Sequence, residues 1–204
     1  MRILLSSICL FLVWGCASYP KKNNLEARPT KSEYATLNPY FSDTSKDYLY
    51  KANLSLYKKE FSGLLIVKKL GAAHHRVAFT TEIGNKIFDL TFIDEDFKVN
   101  YILNKMDRKP IINLLKNDFG LLMKERCQIR NTYGLNNDTV YETESQKKKF
   151  YYYLSEKGKL KKIVQSNRTK AQLTILFPKV NGEQADRIEV IHQDIDLTIS
   201  LKAI

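Results

Sequence analysis

The plainest alternation of apolar and polar positions in the chain is Arg76–Phe92, RVAFTTEIGNKIFDLTF. Val77 and Phe79 alternate with Arg76, Ala78 and Thr80, while Phe88, Leu90 and Phe92 alternate with Ile87, Asp89 and Thr91. A period of two puts the larger apolar groups of each run on one face, so the stretch predicts two paired strands. Between them, Gly84 and Asn85 tolerate the positive φ that a short hairpin connection needs. Ile83 does not suit a polar turn. It is either folded back on its own hairpin or exposed for a purpose.

The same period runs on both sides of this hairpin. Upstream, Tyr50, Ala52, Leu54 and Leu56 alternate with Lys51, Asn53, Ser55 and Tyr57, and Phe61–Lys69 carries a Leu64-Leu65-Ile66-Val67 run that reads as buried on both faces. Downstream, Asp94-Glu95-Asp96 turns the chain into Phe97, Val99 and Tyr101. These strands, joined by short turns, predict an antiparallel meander. One helix then interrupts. Pro110 suits a first helical turn, and Ile111, Leu114, Leu115, Phe119 and Leu122 follow helical spacing opposite Asn113, Lys116, Asn117 and Lys124. Beyond it, strand-like stretches resume from Gln128 to Leu201, with turns at Asn136-Asn137-Asp138, Lys157-Gly158 and Asn181-Gly182.

The chain is therefore expected to be mainly β, a single antiparallel sheet with one central helix. A sheet of about 11–12 strands must curl or split. If it curls without closing, it forms an incomplete half-barrel whose concave groove has the helix as lid or plug, a place for acyl chains to lodge. Val77, Phe79, Phe88, Leu90 and Phe92 then line the groove, joined by Leu54, Leu56, Phe97, Val99, Leu173 and Ile175. If the interior is filled, the same residues form a packed core with no cavity. Periodicity leaves both open.

Ahead of the sheet the chain changes character. Arg2 and the apolar run Ile3–Val13 have the make-up of a signal peptide over residues 1–15, too short for a bilayer span of ~20 apolar residues. Val13-Trp14-Gly15-Cys16 resembles the bacterial lipobox. That resemblance implies that Cys16 is acylated through its sulfur and becomes the mature N-terminus. Ala17, where an Asp would retain the protein in the inner membrane, resembles an outer-membrane address. Residues 16–36, with Pro20, Pro29 and little apolar material, read as a flexible tether, and 37–204 as one domain.

Charge and cysteine content narrow the function. The chain of 204 residues has a formal net charge of +11, which favours an anionic partner. Nucleic acid is excluded by the export signal and by the lack of a basic helix or aromatic recognition motif. Removal of Cys9 with the leader and acylation of Cys16 leave Cys127 alone, so no intramolecular disulfide is expected in the mature domain. Cys127 reads as a small buried apolar side chain. His74 and His75 are adjacent and point to opposite faces of a strand, so they cannot chelate one metal together. His192 stands apart, and no metalloprotease, hydrolase or phosphate-loop motif is present. No enzyme, cofactor or metal is expected.

Together, Tyr50–Lys69 (YKANLSLYKKEFSGLLIVKK), Arg76–Leu90 and the closing Arg187–Leu201 (RIEVIHQDIDLTISL) resemble the LolB family. These outer-membrane lipoproteins receive lipoproteins from the soluble periplasmic carrier LolA. The resemblance implies an incomplete antiparallel barrel with a helical lid and a hydrophobic cavity. It also implies that Ile83, just before Gly84, holds the place of the family's exposed leucine, which helps insert cargo into the membrane. The implied partners are acyl chains of lipoproteins or lipids, the outer membrane and a periplasmic carrier. The alternative is a non-enzymatic envelope lipoprotein with a packed core that docks a protein partner.

Overall fold

A computed structural model describes residues 18–57 and 59–204. The expected signal peptide and Cys16 lie outside the described residues. The strands are β1 (Glu26–Arg28), β2 (Tyr34–Thr36), β3 (Asp47–Leu56), β4 (Lys59–Gly71), β5 (His74–Thr80), β6 (Lys86–Ile93) and β7 (Asp96–Ile102), then β8 (Arg126–Leu135), β9 (Asp138–Ser145), β10 (Lys148–Leu154), β11 (Leu160–Asn167), β12 (Lys170–Asn181), β13 (Gln184–His192) and β14 (Leu197–Ala203). Two helices accompany them, α1 (Tyr19–Lys22) and α2 (Lys109–Met123). All strands belong to one antiparallel sheet in the order β1-β8-β9-β10-β11-β12-β13-β14-β3-β4-β5-β6-β7, with β2 also on β8. The late strand β14 pairs with the early strand β3, Ile199 opposite Leu54, and the sheet curls without closing.

Alternation decides which face goes inside. In β3, Tyr48, Tyr50, Ala52 and Leu54 are buried and the residues between them are exposed. In β5, His75, Val77 and Phe79 are buried. The Leu64–Val67 run departs from its expected double burial: Leu65 and Val67 are buried, whereas Leu64 and Ile66 are half-buried. They lie on the convex side, where no second layer among the described residues covers them. A Cβ at Gly63 would run into the Thr80 carbonyl oxygen, so this strand position accepts only glycine. On the convex side of the hairpin, Arg76 donates two hydrogen bonds to the Asp89 carboxylate, at 2.9 and 2.7 Å. That guanidinium holds the Asp89 carboxyl down at about 2 and ties β5 to β6.

The segment read as a tether over 16–36 is docked from Ser18 onward. An open sheet leaves unpaired backbone groups on its edge strand. Here β1 pairs with Thr132–Gly134 and β2 with Arg126–Gln128, so both sit along the outer edge of β8. Tyr19 is buried and stacks on Tyr151 with ring centroids 4.5 Å apart, and its hydroxyl lies 3.0 Å from that of Tyr153. Leu25 joins them over Val140 and Val164 on the convex face. Residues 37–46 form neither helix nor strand, but Leu37, Tyr40 and Phe41 are buried in the main core.

Candidate functional site

The concave face of the sheet is the candidate site, and α2 occupies it. Pro110 lies in the first turn of α2, where a missing N–H costs no hydrogen bond. Leu115, Phe119 and Leu122 are buried on its inward side, with Ile111 and Leu114 half-buried at its start. Phe119 meets Phe88 at 5.6 Å between ring centroids, and Phe88 meets Phe79 at 5.5 Å. Helix and sheet thus share one apolar core.

One charged residue sits within that apolar side. Asp118 lies three residues after Leu115 and four before Leu122, and its side chain is 2% exposed. Its Oδ2 is 2.8 Å from Nε2 of His192 at the end of β13, while Oδ1 is buried with no hydrogen-bond partner among the described residues. Burial pushes the Asp118 carboxyl up, and the neighbouring His192 and Lys148 oppose that shift. The sequence gives no direct sign of this pair, because its members are 74 positions apart. The available signal is an aspartate at an apolar position of a helix.

Two spaces flank α2. Under its first half lies an apolar cavity of about 30 Å³, lined by Leu54, Leu56, Phe79, Leu115 and Ile199, with Asp118 at its wall. Beside its second half lies a cleft of about 940 Å³ with a mixed lining, in which Phe92, Phe97, Leu121, Met123 and Phe150 stand among charged side chains. Asp94, Glu95 and Asp96 border it from the β6–β7 turn, and Arg126, Arg130 and Lys148 from β8 and β10. Glu125 in this cleft meets Lys69 at 2.7 Å and Nε2 of His75 at 3.2 Å. Burial pushes the His75 imidazole down, against the opposite pull of the Phe41 carbonyl and Glu125. Cys127 is buried and its Sγ donates to the Tyr152 hydroxyl at 3.2 Å. Burial pushes its thiol up, which leaves it a poor nucleophile.

The groove residues named from the sequence fall as follows. Leu54, Leu56 and Phe79 border the small apolar cavity, and Phe92 and Phe97 border the large cleft. Val77, Phe88, Leu90, Leu173 and Ile175 are buried in the core, and Val99 packs against it half-buried. Ile83 lies elsewhere, at the tip of the β5–β6 turn, with 92% of its surface exposed. Gly84 behind it has φ +97°, a conformation that a side chain would strain. The turn is closed by the Thr81 N–H donating to Asn85 O and the Gly84 N–H donating to Thr81 O, both at 2.9 Å.

No family profile and no curated protein matches this sequence. A solved structure shares its fold. A LolA superfamily protein from Nitrosomonas europaea superposes with a TM-score of 0.55, at 10% identity, over 83% of this chain and 92% of that one. More distant are a chain described as an outer membrane lipoprotein-sorting protein domain from Vibrio parahaemolyticus (TM-score 0.42, 13% identity, 77% and 83% of the two chains) and a DUF1329 family protein from Desulfovibrio piger (TM-score 0.43, 9% identity, 79% and 85%). The fold is a LolA/LolB-like open half-barrel with one central helix.

Proposed function

We propose that this protein is a non-enzymatic lipoprotein of the outer membrane, anchored through acylated Cys16 with its domain facing the periplasm. In this reading it takes acyl chains of lipoproteins or lipids into the concave face of its sheet and delivers them to the membrane. One observation carries the proposal: a continuous apolar concave face, in a sheet whose edges do not meet, is roofed by a single helix. A cavity of about 30 Å³ cannot hold an acyl chain; in this reading α2 swings out, and the adjoining cleft gives it room.

Magnitudes favour such an exchange. Leu115, Phe119 and Leu122 each contribute ~1.5–3 kcal/mol by burial. An acyl chain of ~15 carbons contributes ~0.8 kcal/mol per CH₂, roughly 12 kcal/mol in all. The ligand can therefore replace what the helix loses. A second reading, a docking lipoprotein with a permanently filled core, is favoured by how closely α2 fills the concavity. Displacement of an apolar fluorescent probe by a diacylated lipopeptide, with native mass spectrometry of the product, separates the two. A bound acyl chain supports the carrier; no binding at saturating lipopeptide supports the docking protein.

In the same proposal Ile83 is the contact that turns the groove toward the lipid. One isoleucine contributes roughly 1.5–3 kcal/mol when buried in an apolar phase. That is too little to hold a protein on a membrane, but enough to bias a protein already anchored there. Ile83→Glu should barely move the unfolding midpoint and should leave lipopeptide binding intact, while delivery to vesicles falls several-fold. Unchanged delivery would make the loop a simple turn.

A further inference from the structure

We infer that the hydrocarbon end of the ligand enters through the small apolar cavity under the first half of α2, which opens there as a flap hinged at its C-terminal end. The route rests on the carrier reading for its ligand; the unequal fastening of the helix stands without it. At the C-terminal end, the buried Asn38 side chain donates through Nδ2 to Leu122 O at 2.7 Å. That carbonyl is one of the last four, which a helix leaves unpaired. The Leu37 and Asn38 N–H groups both donate to Glu125 O, at 2.9 and 3.2 Å. The Glu125 carboxylate in turn meets Lys69 on β4 and His75 on β5, and Nε2 of His75 also lies 3.1 Å from Phe41 O. Four segments are thus knotted together where α2 ends.

The start of α2 has no such fastening. Arg108 at the N-cap makes no side-chain cap bond, and the first turn carries no acidic side chain, so neither of the usual supports of a helix N-terminus is present. The connection from β7 bonds to the sheet once, through the Leu103 N–H to Ile87 O at 2.8 Å; after it, Met106, Asp107 and Arg108 donate only within the connection. Among the described residues, no hydrogen bond or ion pair ties 104–117 to the sheet. Apolar contact alone holds this half down, with Leu115 buried and Ile111, Ile112 and Leu114 half-buried. Such contact is non-directional, so a hydrocarbon chain can replace it. It cannot replace the hydrogen bonds at the other end.

The cavity lies beneath this loosely held half. Leu54, Phe61, Met106, Ile111, Leu114 and Ile199 are among its lining, and Asp118 is the one charged residue there. Phe61 is 40% exposed, which puts it at the rim. Leu64 pairs with Thr80 in antiparallel strands, so Phe61 lies toward the β5–β6 turn that carries Ile83. The route therefore begins on the side of the residue proposed to meet the lipid. The large cleft beside the second half suits a hydrocarbon less well. Asp94, Asp96, Arg126 and Lys148 border it, and an apolar chain laid among them would strip water from charged groups without pairing them.

The hinge is tested on the ligand-free full chain by native-state amide hydrogen exchange. Amides of 113–116 should exchange about tenfold or more faster than those of 119–123, and Asn38→Ala should narrow the gap by speeding the second group. Equal rates along α2, or a faster second half, overturn the hinge. The route is tested by irradiating the full chain with a diacylated lipopeptide that carries a diazirine at the end of one acyl chain. Mass spectrometry should place the crosslinks on Phe61, Met106, Ile111 and Leu114. Phe61→Glu, at a position exposed enough to keep the fold by circular dichroism, should weaken lipopeptide binding about tenfold or more, while Arg130→Glu on the large cleft should leave it unchanged. Crosslinks confined to the cleft, at Met123, Phe150 or Gln165, overturn the route and leave the carrier reading intact. No adduct at saturating lipopeptide removes the carrier reading and the route together, and the exchange gradient still decides the hinge.

Discussion

His192→Leu alone is expected to cost about 3–5 kcal/mol of stability near neutral pH, because it leaves the Asp118 carboxylate buried without its partner. Asp118→Leu together with His192→Leu is expected to recover that loss or exceed the parent, since a buried ion pair often contributes less than well-packed apolar groups. The cost of the single variant also depends on pH. The folded-state carboxyl of Asp118 lies above its ordinary value because of burial. Its protonation therefore favours the fold: that contribution is full below the unfolded value of ~3.9 and is lost as pH rises through the raised folded value. Removing His192 takes away a group that lowers the carboxyl, so the loss continues to higher pH. Urea midpoints should show His192→Leu less impaired at pH 5 than at pH 8. The double variant should bind lipopeptide more weakly than the parent, because an apolar seat holds α2 in place.

Phe88→Asp is expected to abolish the folded state. Phe88 is fully buried between Phe79 and Phe119. Truncating such a residue costs ~3–5 kcal/mol, before the further penalty of a buried carboxylate. A domain with a typical total stability of ~5–15 kcal/mol does not tolerate both. Phe88→Leu keeps most of the volume and should remain folded, with a lower midpoint in circular dichroism. A folded Phe88→Asp protein would mean that the inward parity of β6 is wrong.

Much of this architecture is legible because strand burial is written in a period of two. Val77, Phe79, Phe88, Leu90 and Phe92 share the inward side of the hairpin, and the helical spacing of Leu115, Phe119 and Leu122 marks the buried side of α2. The docking of residues 18–36 was not legible for a physical reason. Strands β1 and β2 are held by the backbone groups of the β8 edge, which any short extended segment can satisfy. Tyr19 and Leu25 are isolated apolar positions in a polar stretch, and their partners Tyr151 and Val164 lie far along the chain. The Asp118–His192 pair is a long-range contact of the same kind. How far α2 fills the concavity depends on the summed volumes of side chains from helix and sheet, and no local pattern records that sum.

The central claim is that acyl chains enter the concave face by displacing α2. Amide hydrogen exchange of the full chain, with and without a saturating diacylated lipopeptide, tests it most directly. The account predicts that amides of α2, Lys109–Met123, exchange faster when the lipopeptide is bound, while those of β5, β6 and β12 stay protected. Unchanged or increased protection of α2 with lipopeptide bound would contradict it.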